Sequence, residues 1–202
     1  MAEKSERSSF IGIVLMVIFY ATLYAAPKLF TQKRFDFSGS TQPFAAQQPF
    51  PMDLKMPVMR TGAALKLPRG KISLNDLLSD TTESFVVNFW ATWCPPCIEE
   101  LPSLEYLSRQ VATQKGKHPI VVTISVDERA EDISRFYRTL TFQPGILVLQ
   151  DKDGELARSL GTVKFPETYW VGRDGKIQHK WVGPQNWISR QVIEKIAVSP
   201  PL

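Results

Sequence analysis

Both cysteines of the 202-residue chain lie in one short stretch, Trp-Cys-Pro-Pro-Cys at residues 93 to 97. The apolar run from Phe85 to Trp90 predicts a buried strand, and the residues after Cys94 predict a helix, so Cys94 falls at the turn between them. Unpaired N–H groups and the helix dipole favour an anion at a helix start. Cys94 should therefore ionise more readily than an ordinary thiol and act as a nucleophile.

The residues after Cys94 supply the rest of a redox site. Pro95 and Pro96 suit the first helical positions, where a missing N–H loses nothing and φ is already helical. Cys97 lies one turn along the same helix face, within disulfide reach of Cys94. An exposed, activated thiolate with a resolving thiol behind it is the minimum equipment for thiol–disulfide exchange.

Other roles for two cysteines are buried core thiols, a structural disulfide or a zinc site. A zinc site needs four ligands, and the two histidines, His118 and His179, lack the close pairing of a metal-binding motif. A Cys-x-x-Cys at a strand-to-helix turn beside a βαβ pattern favours redox chemistry over these alternatives. We therefore expect no metal and no cofactor besides a redox-active disulfide.

Strands and helices alternate after this motif, which predicts an α/β fold with a mixed central sheet and helices on both faces. Pro102 lies inside the first helix and should kink it. The further predicted elements are a strand over 120–126, a helix around 133–140, a strand over 145–149, a short helix over 155–160, a hairpin of 168–171 with 176–182, and a last helix capped by Asn186 with Ile188, Val192, Ile193 and Ile196 inward.

The N-terminal part of the chain is different. Residues 10–26 are almost wholly apolar and about 20 residues of helix cross a bilayer core, so we expect a transmembrane anchor after a tail at 1–9. A cleaved secretory signal is the alternative, but cutting after Ala25 or Ala26 leaves Leu23 or Tyr24 where a small residue is needed. A linker over 27–56, a domain over 57–198 and a tail at 199–202 follow. Phe35, Phe37, Phe44 and Phe50 are unusual for a free linker and are expected to lie against the domain.

Charge and composition restrict the function. The net charge is +4 with both signs interspersed, and no basic tract interleaved with aromatic residues predicts nucleic-acid binding. Basic residues lie on both sides of the apolar segment, so charge does not set its orientation. A short tail before a single span and a long domain after it favour an exported domain on the periplasmic side of the cytoplasmic membrane.

The residues around the cysteines resemble a known family. Asn88 to Thr92 precede the motif, Glu100 and Pro102 follow it, and Phe-Pro-Glu-Thr at 165–168 lies far downstream. Over residues 57–198 the chain resembles the membrane-anchored thioredoxin-like proteins of the TlpA/ResA type, relatives of those that serve cytochrome c maturation. The resemblance implies a thioredoxin-like fold and a thiol-disulfide oxidoreductase.

Three residues are expected to be catalytic: Cys94 as nucleophile, Cys97 as resolving thiol and Glu100 as the family's active-site acid. Partial burial of Glu100 would raise its pKa toward neutrality, so that it exchanges a proton with Cys97. Its negative charge would oppose thiolate formation and make the pair less oxidising. The alternative is a solvated first-turn glutamate. Asn88 departs from soluble thioredoxins, which carry a buried aspartate there, and this strengthens the case for Glu100.

Partner binding is expected around the disulfide. Thioredoxin-like folds place a cis-proline beside the active cysteines, and the resemblance assigns that place to Pro166, which would expose the backbone of Phe165 for strand-like pairing. The alternative is a trans proline at an edge strand. The expected substrate-binding residues are Trp93, Pro95, Pro96, Phe165 and Pro166.

These inferences predict a membrane-tethered oxidoreductase that reduces disulfides of exported proteins, with apocytochrome c or its assembly factors as candidate partners. The resemblance implies a membrane thiol-electron donor that reduces the pair again. Alternatives are an oxidising or isomerising disulfide catalyst, a copper-delivery or assembly factor, a thiol peroxidase, and a non-catalytic adaptor. A peroxidase needs a Thr-rich pocket, for which Thr92 is only a partial match.

Overall fold

The computed structural model describes residues 48–61, 67, 70–79, 82–113, 118–140 and 145–197. Within these ranges the chain forms seven strands, four α-helices and one 3-10 turn at Asn75–Leu77. The strands are β1 Met56–Arg60, β2 Lys71–Ile72, β3 Thr82–Trp90, β4 His118–Ser125, β5 Leu147–Gln150, β6 Glu167–Gly172 and β7 Ile177–Val182. The helices are α1 Pro95–Ala112, α2 Ala130–Thr139, α3 Glu155–Ser159 and α4 Arg190–Ala197.

The seven described strands form one mixed sheet in the order β2-β1-β5-β4-β3-β6-β7. β3, β4 and β5 are parallel neighbours, whereas β1, β2, β6 and β7 each run antiparallel to the strands beside them. β3 lies near the centre, paired with β4 from Phe85 to Trp90 and with β6 on its other side. Its nearly unbroken apolar sequence follows from this position, because both of its faces are covered.

Helices cover both faces of the sheet, as predicted. Side chains alternate along β3, so Val86 and Trp90 point to one face and Val87 to the other. Val86 packs in a cluster with residues of α1 and α4, and Trp90 packs with Ile133 and Tyr137 of α2. Val87 lies in a third cluster with α3 and with residues from the N-terminal side of the domain.

The described residues before β1 belong to the domain core. Phe50 is buried, and its N–H donates to the Gly175 carbonyl at 2.8 Å. Met52 and Met56 are buried in the same cluster. Phe50 therefore lies against the domain as expected, and the part of the predicted linker from Gln48 to Lys55 packs on it.

Two elements differ from the prediction. Ile188 and Ile193, expected to point inward, are 48% and 42% exposed. The last helix begins at Arg190 rather than near Asn186, whose Oδ1 accepts the Ile188 N–H at 3.2 Å in a turn before the helix. Because the helix begins at Arg190, only Val192 and Ile196 of the four predicted residues, one helical turn apart, are buried against the sheet.

The predicted third strand begins two residues late. Gly145 and Ile146 donate their N–H groups to the carboxyl group of Glu105 on α1 instead of to a neighbouring strand. Glu105 is buried, although it is a charged residue. α1 continues through Pro102 to Ala112 as one helix.

Within the described ranges, no helix combines the length and the apolar character that crossing a bilayer requires. The predicted tail at 1–9, the anchor at 10–26, the linker up to residue 47 and the tail at 199–202 lie outside those ranges.

Candidate active site

Cys94 lies at the junction of β3 and α1, as the sequence predicts. It is the residue immediately before the helix and has an extended backbone, with φ −105° and ψ 96°. Its carbonyl accepts the N–H groups of Cys97 and Ile98 at 3.1 and 3.2 Å, which starts the helical ladder. Pro95 and Pro96 fill the first two helical positions, where they lose no hydrogen bond. Cys94 therefore lies at the positive end of the α1 dipole.

Cys94 and Cys97 form a disulfide, with their Cα atoms 5.3 Å apart. The expectation of an exposed thiol is wrong: Cys94 is 5% exposed and Cys97 is 2% exposed. Both lie in an apolar cluster, because Trp90 and residues of α2 pack around them. Cys94 is nevertheless the more accessible cysteine, which fits a nucleophile in front of a resolving thiol.

The peptide bond between Phe165 and Pro166 is cis, as the resemblance implies. Phe165 is half-buried and packs against the apolar cluster that contains both cysteines. Pro166 is buried, and its carbonyl accepts the Gly183 N–H at 2.9 Å. The Phe-Pro segment that precedes β6 therefore adjoins the disulfide, although about 70 residues separate them in the sequence.

An aromatic and proline surface surrounds the disulfide. Trp93 is 63% exposed and meets Phe165 edge to face, with ring centroids 5.9 Å apart. Pro95 is exposed and Pro96 half-buried. The structure thus brings the five residues expected to bind a partner into one region around Cys94.

Glu100 is buried, with 4% of its surface exposed, so it is not the solvated glutamate of the alternative hypothesis. Its Oε1 accepts the Asn88 side-chain amide at 2.7 Å and its Oε2 accepts the Gln185 backbone N–H at 2.8 Å. Burial raises the pKa of Glu100 to about 7, and the bonds from Gln185 and Asn88 oppose part of that rise. Glu99 is exposed. Glu100 can therefore gain or lose a proton near neutral pH.

Asn88 links Glu100 to the sheet. Its Nδ2 donates to Glu100 Oε1 and, at 2.9 Å, to Thr168 Oγ1 on β6. The amide carries no ionisable proton, so within this network the carboxyl group of Glu100 is the group able to exchange one. Sequence patterns did not indicate Gln185, because it acts through its backbone N–H, which every residue except proline has.

A second buried acid, Asp127, lies after β4. It accepts the Thr92 N–H at 2.9 Å and the Thr92 hydroxyl at 2.6 Å, and it is 3% exposed. The contact between Asp127 and Thr92 leaves no signal in the sequence beyond a polar pair directly after a buried strand. Because the one hydroxyl proton of Thr92 is donated to Asp127, it is not available to a bound peroxide. This argues against the peroxidase alternative.

His179 is half-buried on β7 and meets Trp181 edge to face, with ring centroids 4.4 Å apart. Burial first, and the positive charge of Lys195 second, lower the pKa of His179 to about 4. Trp181 belongs to the cluster between the sheet and the helices α1 and α4, so His179 lies apart from the cysteines.

The chain resembles several known proteins. It is 27% identical over 115 residues to the thiol-disulfide oxidoreductase ResA of Bacillus thuringiensis, covering 57% of this chain and 62% of that protein. It is 36% identical over 98 residues to the thiol:disulfide interchange protein DsbE of Pseudomonas aeruginosa, covering 48% of this chain and 50% of that one. The matches thus span only about half to three fifths of these relatives.

A solved structure confirms the thioredoxin-like fold. The thioredoxin domain of a thiol-disulfide oxidoreductase from Bacteroides vulgatus superposes with a TM-score of 0.58 at 21% identity, covering 76% of this chain and 99% of that one. The sequence model of the Redoxin family matches residues 55–196, from the residue before β1 into α4. With that match spanning most of its length and holding both cysteines, this chain belongs to the Redoxin family.

Proposed function

We propose that this protein is a thiol-disulfide oxidoreductase that reduces disulfides of exported proteins by dithiol exchange. The observation that carries the proposal is the Cys94–Cys97 disulfide at the start of α1, beside the cis Phe165–Pro166 bond. The printed names of ResA and DsbE, a thiol-disulfide oxidoreductase and a thiol:disulfide interchange protein, support the same activity.

The reaction begins with the reduced pair. The Cys94 thiolate attacks one sulfur of the partner's disulfide, and that S–S bond breaks as the Cys94–partner bond forms. The leaving sulfur of the partner takes up a proton from solvent, which replaces the proton that Cys94 released to solvent when it ionised. The product is a mixed disulfide, and the apolar, aromatic surface of Trp93 and Phe165 holds the partner during this step.

Resolution completes the transfer of two electrons. Cys97 gives its proton to Glu100 and attacks the sulfur of Cys94, which releases the partner's second thiolate. Glu100 then passes the proton on toward the released partner, and the Cys94–Cys97 disulfide remains. The partner has gained two electrons and two protons, and the pair has lost them.

Charge supports the proposed direction of transfer. A buried Glu100 with a pKa of about 7 is partly anionic at neutral pH, and an anion near the cysteines opposes thiolate formation. A less stable thiolate makes the pair a stronger reductant. No histidine, which would favour the thiolate when protonated, lies between the cysteines. Reduction of partners then requires a separate thiol donor to restore the dithiol.

We place the domain outside the cytoplasm, tethered by the apolar segment at 10–26. Disulfides persist in exported proteins, so a reductase has substrates there. The resemblance to the TlpA/ResA type, whose relatives serve cytochrome c maturation, makes apocytochrome c or its assembly factors the first partners to test, with a membrane thiol-electron carrier as the donor.

Trapping tests the exchange chemistry. Reduced Cys97→Ala protein mixed with a disulfide-bonded peptide should accumulate a mixed disulfide at Cys94, visible as one added mass that dithiothreitol removes. The matched Cys94→Ala variant should trap much less, because Cys97 lies inside the first turn of α1 rather than at its start, where the helix favours an anion most. Equal trapping by both variants would show that the roles are wrongly assigned.

The reduction potential tests the direction. Equilibration with glutathione buffers should give a value well below that of the oxidant DsbA, about −120 mV, and nearer to thioredoxin at about −270 mV. A potential close to the DsbA value would favour the oxidising alternative instead.

A further inference from the structure

Three donors converge on Asp127, a buried acid that the exchange steps do not use. Its Oδ2 accepts the Thr92 N–H at 2.9 Å and the Ser125 hydroxyl at 2.7 Å. Its Oδ1 accepts the Thr92 hydroxyl at 2.6 Å. The residue is 3% exposed. Both oxygens are thus engaged, and two of the three bonds come from one residue that lies 35 positions earlier in the chain.

Asp127 is itself held firmly. Its N–H donates to Ser125 Oγ at 3.0 Å, which closes a small ring with the bond from the same hydroxyl. Gln150, at the end of β5, donates its side-chain amide to the Asp127 carbonyl at 2.9 Å. The acid is therefore fixed to the ends of two central strands, where it can serve as a rigid support.

The segment that it supports is the turn before the nucleophile. Cys94 donates its N–H to the Ala91 carbonyl at 3.2 Å, so residues 91–94 form a tight turn with Thr92 near its middle. The turn is also held where β3 ends, because the Val126 N–H donates to the Trp90 carbonyl at 2.9 Å. Asp127 binds Thr92 through both backbone and side chain.

We propose that Asp127 is a positioning residue that holds the turn at residues 91–94, and through it Cys94, at the start of α1. This inference rests on the proposed exchange function, in which Cys94 acts as a thiolate. The stabilisation of an anion by a helix start falls off within the first turn, so a small displacement of Cys94 changes its reactivity.

Two substitutions separate hydrogen bonding from charge. In Asp127→Asn the amide oxygen can accept from the Thr92 N–H and Ser125, and the amide nitrogen can donate to the Thr92 hydroxyl, which then acts as acceptor. Asp127→Ala loses all three bonds. Both variants remove the negative charge, so a difference between them reports the contacts of the side chain and not its charge.

The measurement is the rate at which iodoacetamide alkylates Cys94, from pH 5 to 9, in the full-length protein carrying Cys97→Ala. At pH 7 Asp127→Ala should react about tenfold more slowly than Asp127→Asn, because the anion stabilisation available at a helix start is of that order. Its pH profile should shift upward by about one unit.

Asp151 offers a matched control. It is 5% exposed, follows β5 as Asp127 follows β4, and accepts the N–H groups of Leu156 and Ala157 at 3.3 and 2.9 Å. Asp151→Ala should lower stability but leave the alkylation of Cys94 unchanged. If Asp127→Ala does not fold, Thr92→Val keeps the backbone bond and should slow alkylation roughly threefold.

Equal rates for Asp127→Ala and Asp127→Asn would overturn the positioning role, as would an equal slowing in Asp151→Ala. An unchanged alkylation rate in Thr92→Val would also overturn the positioning role. The alkylation rate measures the reactivity of the Cys94 thiol and requires no disulfide partner. Failure to trap a mixed disulfide, together with the expected alkylation contrast, would therefore overturn the proposed function while leaving this inference intact.

Discussion

Replacing Glu100 by glutamine should change how stability depends on pH. The pKa of Glu100 rises from 4.5 to about 7 in the folded protein because burial disfavours the charged form. Between these pH values the unfolded chain has lost the proton that the folded chain still holds, so folding stability falls as pH rises. At about 1.4 kcal/mol per pKa unit, the loss between pH 4.5 and pH 8 is about 3 kcal/mol.

Glutamine removes this titration and introduces a smaller, constant cost. Both oxygens of Glu100 accept from donors, Asn88 Nδ2 and the Gln185 N–H, and the glutamine NH₂ would face one of them. That conflict costs roughly 1 kcal/mol at every pH. Glu100→Gln should therefore be less stable than the parent at pH 4.5 and more stable at pH 8 by about 2 kcal/mol.

Urea unfolding of the oxidised protein at pH 4.5, 6 and 8, followed by tryptophan fluorescence, measures this difference. Glu99→Gln is the matched control, because it makes the same chemical change at an exposed position one residue away and leaves Glu100 in place. The reasoning is refuted if the difference between the parent and Glu100→Gln stays constant within about 0.5 kcal/mol over the whole range.

The same substitution should slow catalysis at one step. Without a base for the Cys97 proton, resolution of the mixed disulfide at pH 7 should slow roughly a hundredfold. Attack by Cys94 on the partner should continue, so the mixed disulfide accumulates. Samples of Glu100→Gln and Glu99→Gln quenched with acid during the reaction would show how much mixed disulfide each variant holds. Accumulation in Glu100→Gln alone distinguishes slow resolution from a general loss of activity.

Three further predictions concern other parts of the domain. Trp93→Ala, at a 63% exposed position, should change stability by less than about 0.5 kcal/mol in urea unfolding but lower kcat/KM for insulin reduction about tenfold. Asn88→Asp places a second acid 2.7 Å from Glu100 Oε1, so the pH profile of resolution should shift upward by about one unit. Lys180→Met leaves Glu167, its buried partner at 2.8 Å, without a counter-charge and should cost about 3 kcal/mol in urea unfolding.

The elements that carry the cysteines could be predicted because their signals are local. An apolar run identified β3, and two prolines after Cys94 identified the first turn of α1. The cis bond at Pro166 came instead from the resemblance, because a peptide isomer leaves no periodic pattern in a sequence. β1 was missed: its five residues have no alternation that separates them from a linker.

The supports of the site could not be predicted, because they depend on contacts between distant residues. A periodic pattern tells which face of an element is buried, but not which groups that face meets. Asp127 reaches Thr92 across 35 positions, and Gln185 reaches Glu100 across 85. The burial of Glu105 has the same origin, since its partners, the two residues before β5, lie 40 and 41 positions away.

The pKa of Glu100 near neutrality results from two opposed effects, and neither is a property of the helix alone. Burial raises the pKa, while hydrogen bonds from Gln185, in the connection between β7 and α4, and from Asn88 on β3 lower it. An aspartate at position 88 would add a like charge and raise the pKa further, whereas an apolar residue would remove a donor. Asn88 supplies the donor without a competing proton, so the exchangeable proton lies on α1, three residues from Cys97, rather than on the strand.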